Sequence, residues 1–252
     1  MNRSNALCRQ VQQPPLPGLF PGQSGLTLIE LMLSLSMGAA VLAATLDIFT
    51  VAKTHADKHF TVVRQQQDMR VGLEVFEQEV RLATAETIQT ADPDRILFYA
   101  NLGAFRTNTT GTLLPGQSVI AVQNGTGWGA GKTIMICSST QCESHRLARA
   151  GQRNQLTLVE PVESTFSAGV SVEVRNRVLY YAKRDEIGTL QLMRMVDGGA
   201  SVVIGGLQNL QLSYWDEMGK RADTISHMKR IVVEIQSEQS RHKMLRDVSI
   251  QS

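Results

Sequence analysis

Between Leu31 and Leu46 the chain carries no charged side chain, and directly ahead of that run stands Glu30, in the stretch Ser24-Gly25-Leu26-Thr27-Leu28-Ile29-Glu30-Leu31. An ionised carboxylate in hydrocarbon costs at least ~2.5 kcal/mol, so an acid at this place implies a partner. Taken as helix, Leu26 to Lys53 spans about 42 Å at ~1.5 Å per residue, enough to cross a bilayer. Thr27, Ser34, Ser36, Gly38, Ala39, Ala40, Ala43 and Ala44 give it small side chains of the kind that let helices approach closely in a membrane or a bundle. Asp47 then marks the end that emerges into water.

What precedes the run decides how it is used. Residues 1–25 are polar and hold Pro14, Pro15, Pro17 and Pro21, which reads as a disordered leader. An ordinary signal peptide places its small-residue cleavage site after the apolar stretch. Here Ser24-Gly25 comes before it, and a cut there keeps the helix in the mature chain.

No proline occurs from Gly22 to Asp92, so the helix is predicted to run on from Leu26 to about Ile88. Its second half is amphipathic: Phe60, Val63, Leu73, Phe76, Val80 and Ala83 recur at steps compatible with one face. Asp92-Pro93 reads as the turn that stops it. Beyond that point β-prone runs appear at 95–99, 118–122, 133–137, 155–159, 170–174, 178–182, 190–195, 207–215 and 229–236, separated by Gly, Asn and Asp, with a final strand after them. The predicted fold is α+β: a long amino-terminal helix whose second half is covered by one mostly antiparallel sheet. The organisation is a leader at 1–25, an apolar helix at 26–53, its amphipathic continuation at 54–90, and a β-rich head at 91–252.

Composition limits the function. With 42% apolar residues the chain can build a core. Its net charge of +2 comes from Arg3 and Arg9 of the leader; beyond residue 25 the 23 basic side chains meet 23 acidic ones. No basic patch of the kind nucleic-acid binding requires is left. Cys137 and Cys142 bracket a polar loop between two strand-like runs, a spacing a local disulfide can close, which implies an oxidising compartment such as the bacterial periplasm. Two unpaired thiols are the alternative, and zinc lacks a matching Cys or His pair.

Other motifs point to less. Gly125 to Thr133 nearly spells a phosphate-binding loop, but Thr126 stands where the motif needs Gly, and a strand rather than a helix follows. A flexible loop with Trp128 at its tip is the expected structure, with a partner contact through Trp128 as a secondary reading. His55 and His59 share a helix face without a third ligand. Asp92, Asp94, Asp216, Glu217 and Asp223 lack the spacing of a calcium loop. No nucleophile and base arrangement stands out, and neither a catalytic site nor a cofactor is expected.

Gly25 followed by Leu26-Thr27-Leu28-Ile29-Glu30 and an apolar helix resembles the class III signal of type IV pilins and type II secretion pseudopilins. Residues 67–83, with Arg70, Leu73, Arg81 and Ala83, are similar to the stripe of PilW-type minor pilins and of pseudopilin J, as are Asn176 to Tyr181, Leu192 to Arg194, Gly206 to Tyr214 and Arg230 to Ile235. The resemblance implies that a prepilin peptidase cuts after Gly25 and methylates the new amino terminus at Leu26, where most members carry Phe. It implies that Glu30 accepts the charge of that amine, in a neighbouring subunit or in its own chain, and so sets axial register. The protein would be a single-pass subunit of the bacterial inner membrane with a periplasmic head, later part of a pilus at the cell surface. Its partners would be the peptidase, other minor and major pilins, and the inner-membrane assembly platform. Pseudopilin J of a type II secretion system is the nearest alternative; a membrane-anchored periplasmic enzyme or binding protein is an alternative of another class.

Overall fold

The computed structural model describes residues 27–238 and 243–250. Two compact units divide the chain after Ala56, inside helix α1, Leu28–Val80. In the first unit every described residue is exposed, from Leu28 and Ile29 to Phe49 and Val51. This helix is long and apolar enough to cross a membrane. The hydroxyls of Ser34, Ser36, Thr45 and Thr50 donate to the carbonyls of Leu31, Leu33, Leu42 and Asp47, at 2.8 to 3.0 Å. Such self-satisfaction is what a polar side chain needs where no water is present.

In the second unit the remainder of α1 lies against an antiparallel sheet, giving the expected α+β arrangement. Met69, Gly72, Leu73, Phe76 and Val80 form the buried stripe. The stripe starts later than the periodicity predicted: Phe60 and Val63 are 75% and 59% exposed. Gly72 belongs to it because a Cβ there would lie 2.3 Å from Cγ1 of the buried Ile204, so only a glycine lets helix and sheet meet this closely.

Helix α1 stops at Val80, short of the predicted Ile88. The Ala83 N–H turns back to the Val80 carbonyl at 2.9 Å, and the Thr87 hydroxyl accepts the Thr84 N–H at 2.9 Å. A threonine pair thus offers the backbone a partner outside the helix, and no proline is needed to end it. A short 3-10 turn, Ala85–Thr87, leads into β1, Ile88–Asp92, and Asp92-Pro93 makes the turn to β2, Arg95–Ala100.

The predicted single sheet is three. The one facing α1 has seven strands: β1, β2, β9 (Asn176–Arg184), β10 (Leu190–Val196), β11 (Gly199–Trp215), β12 (Arg230–Ser237) and β13 (Lys243–Ser249), in that spatial order and antiparallel throughout. Between β2 and β9 the chain builds a four-stranded sheet from β3 (Arg106–Asn108), β8 (Ser171–Val174), β5 (Thr133–Cys137) and β6 (Cys142–Arg146), and a pair from β4 (Val119–Ala121) and β7 (Gln155–Thr157). Bridges Thr109↔Val122 and Leu147↔Leu158 join the pair to both edges of the four, which closes a six-stranded barrel. Its core holds Ile134, Ile136, Leu156, Phe166, Val172 and Trp128. Trp128 is only 3% exposed, so it fills the barrel and is not a surface anchor.

Candidate functional site

Gly25 and Leu26, the predicted cut and methylation site, lie outside the described residues. Glu30 occupies the first turn of α1 and is exposed, as are its apolar neighbours Ile29, Leu31, Met32 and Leu33. Its Oε2 lies 3.4 Å from the Thr27 N–H donor and 3.4 Å from Thr27 Oγ1. The Glu30 and Leu31 N–H groups both donate to the Thr27 carbonyl, at 3.0 and 3.2 Å. Thr27-x-x-Glu30 is therefore the spacing of a capping box, with the acid folded back on a free N–H at the helix start. The helix dipole favours the same charge at that end. The sequence reading weighed Glu30 for the amine at Leu26, in a neighbouring subunit or in its own chain, and not for Thr27; the Thr-x-x-Glu spacing was the signal for this contact.

The head has its own polar centre where α1 meets the sheet. Tyr180 of β9 is fully buried, with Phe76 edge-on at 4.9 Å and Phe98 stacked at 6.4 Å. Its hydroxyl donates to Glu79 Oε2 at 2.6 Å, and Arg194 of β10 grips the same carboxylate with two N–H groups, the Nε contact measuring 2.8 Å. Burial, then the Glu79 carboxylate, pushes the Tyr180 phenol far above its ordinary range. Tyr180 therefore stays protonated and donating. Each charge finds its partner inside the cluster, which suits a fastening better than a reaction.

A second polar link joins barrel and sheet. Lys132, the lysine of the near phosphate-binding motif, donates to Asp197 Oδ2 at 2.7 Å, and Asn176 donates to the same oxygen at 2.8 Å. The Arg177 N–H donates to Oδ1 at 2.9 Å. Burial pushes the Asp197 carboxyl up, but these hydrogen bonds together outweigh it and hold the group below the usual carboxylate range. With Thr133 opening a strand, this loop has no phosphate cradle.

Cys137 and Cys142 are bonded, as expected, and face each other in the β5–β6 register. Beside them the buried His145 Nε2 and Glu143 Oε2 lie 3.0 Å apart. Glu143 Oε2 also accepts the Glu163 N–H at 3.1 Å. Among the described residues no group of three His, Cys, Asp or Glu could hold a metal ion. His55 and His59 are exposed on α1. Asp92 and Asp94 pair with Arg95, Asp216 closes a turn by accepting the Lys220 N–H, and Glu217 and Asp223 are exposed. An open cleft of about 690 Å³ runs past Thr84, Glu86, Tyr99 and Arg106, and its charged wall is the Arg106–Glu173–Arg175 cluster. No family model, curated protein or solved structure matches this chain.

Proposed function

We propose that the chain is a minor pilin, processed after Gly25 and held by α1 first in a bacterial inner membrane and then in the core of a type IV pilus. The observation that carries this reading is the attitude of Glu30. Its carboxylate is turned toward the Thr27 N–H, one residue from where a cut after Gly25 would leave a free amine at Leu26. In low dielectric an amine and a carboxylate attract strongly, whereas either alone is penalised. The cut would thus create the charge that Glu30 requires, in its own chain or in a neighbour's, and pairing between neighbours would fix their axial offset.

The exposed apolar half of α1 supports the same reading, since it offers a surface that lipid or other helices must cover. The Cys137–Cys142 bond supports a periplasmic head. Replacing Glu30 by Val should leave membrane insertion intact and abolish recovery of the protein with sheared filaments. Normal incorporation of Glu30→Val would contradict the assigned role.

A further inference from the structure

The cleft of about 690 Å³ lies where the seven-stranded sheet meets the barrel, with walls from the 3-10 turn Ala85–Thr87, from β2 and from the region of the barrel strands β3 and β8. Its size is that of a small-ligand site. Four charged side chains line it, Glu86, Arg106, Glu173 and Arg175, two of each sign. Arg106 pairs with Glu173 at 2.9 Å, while Arg175 stands 3.6 Å from the other oxygen of the same carboxylate, beyond hydrogen-bond reach. The Glu86 carboxylate and the Tyr99 hydroxyl meet no partner among the described residues. An acid, a phenol and a guanidinium with unused hydrogen-bonding capacity thus share one cleft. Its wall is also set in advance. Ala104 holds φ at 52°, a left-handed conformation in which an alanine is strained. Asn101 enforces it: the side-chain amide donates to the Phe105 carbonyl and the side-chain oxygen accepts the Phe105 N–H, both at 3.0 Å. A loop ordered before binding loses little entropy when a ligand arrives.

We propose that this cleft binds a neutral saccharide. An anion would meet Glu86 and Glu173, a cation would meet Arg106 and Arg175, and an apolar molecule would strip water from all four. A hydroxyl donates and accepts at once, so a polyol can give hydrogen bonds to Glu86 and take them from Arg175. Tyr99 supplies the rest. Its half-buried ring and the exposed Leu82 give the wall apolar area, on which the C–H face of a pyranose can pack. A zwitterion such as a free amino acid also answers an acid and a guanidinium. In a solvent-open cleft, however, such charge pairs contribute little, and a compact amino acid leaves the ring uncovered. The site does not rest on the pilin reading, since the helix ahead of residue 57 lines no part of it.

The test uses the full chain in micelles of deuterated dodecylphosphocholine, a detergent without a sugar headgroup, and saturation-transfer difference NMR with cellobiose, lactose, mannobiose and chitobiose. At least one of these disaccharides should bind saturably. Tyr99→Ala should weaken that binding about tenfold, and Tyr99→Phe should keep it, since the ring stays. Glu86→Gln and Arg175→Gln should each weaken it about threefold. Ile187→Ser, at an exposed position between β9 and β10, should change nothing. Absence of saturable binding across the panel overturns the proposal, as does binding that Tyr99→Ala and Glu86→Gln leave unchanged. Should Tyr99→Ala fail to fold, Glu86→Gln, at an exposed position, decides alone. Saturable binding of glutamine without any of the sugars assigns the cleft to a zwitterion and overturns the saccharide.

Discussion

Residues 28–56 and 57–80 belong to one helix and have opposite surroundings. The first stretch exposes Leu35, Leu42, Phe49 and every other side chain; the second sinks Met69, Leu73, Phe76 and Val80 into a core shared with seven strands. Helix propensity does not separate them, since both are rich in good helix formers. The difference lies in the arrangement of apolar residues: all round the helix in the first, along one stripe in the second. A stripe can be buried by the chain's own sheet. A fully apolar cylinder is left for lipid or for other subunits.

Substitutions can break this contrast, starting with the largest expected effect. Phe76→Ala empties a fully buried site against Tyr180 and should destabilise the head by about 4 kcal/mol. Phe49→Ala, the same change in the exposed half, should move the head's unfolding by less than about 0.5 kcal/mol. Chemical denaturation followed by tryptophan fluorescence measures both, and equal effects would erase the distinction. Glu79→Ala leaves the Arg194 guanidinium and the Tyr180 hydroxyl without their acceptor and should cost about 3 kcal/mol. Glu79→Gln keeps an acceptor for Tyr180 and should cost less.

The smallest effect concerns the link between barrel and sheet. Asp197 has a depressed pKa in the folded protein, so its contribution is present above the ordinary aspartate range and is lost as pH falls from there through the folded value. Between those limits the wild-type protein should lose stability faster than Asp197→Asn. Parallel acid titrations of the two proteins by circular dichroism check the sign.

Much of this was legible in residue order. The apolar half of the helix and the run Thr133–Cys137 follow from local pattern, and the latter is β5 to the residue. Strands β1 and β3 were missed because their sequences, IQTAD and RTN, are too polar to alternate visibly, while β6, CESHR, was legible only as a strand-like run after the Cys137–Cys142 loop, without bounds. Strand β11 begins at Gly199 and not at Leu207, because pairing with β10 carries it past Gly205 and Gly206. There Gly206 takes a positive φ of 67°, and the Gln65 amide of α1 donates to its carbonyl at 2.6 Å. Barrel closure depends on Thr109 meeting Val122 and Leu147 meeting Leu158, long-range pairings that no window of sequence displays. The burial of Trp128 follows from that closure. At the amino terminus the acid itself was plain, and the Thr27-x-x-Glu30 spacing beside it carried the signal for their contact, masked by the apolar run that follows.

The central claim is that the carboxylate of Glu30 waits for an amine made by a cut after Gly25. Intact mass and amino-terminal peptide mass spectrometry of the protein, coexpressed with a prepilin peptidase and extracted from the membrane, tests it most directly. A chain beginning at N-methylated Leu26 is the predicted result; a chain that keeps residues 1–25 under those conditions contradicts it.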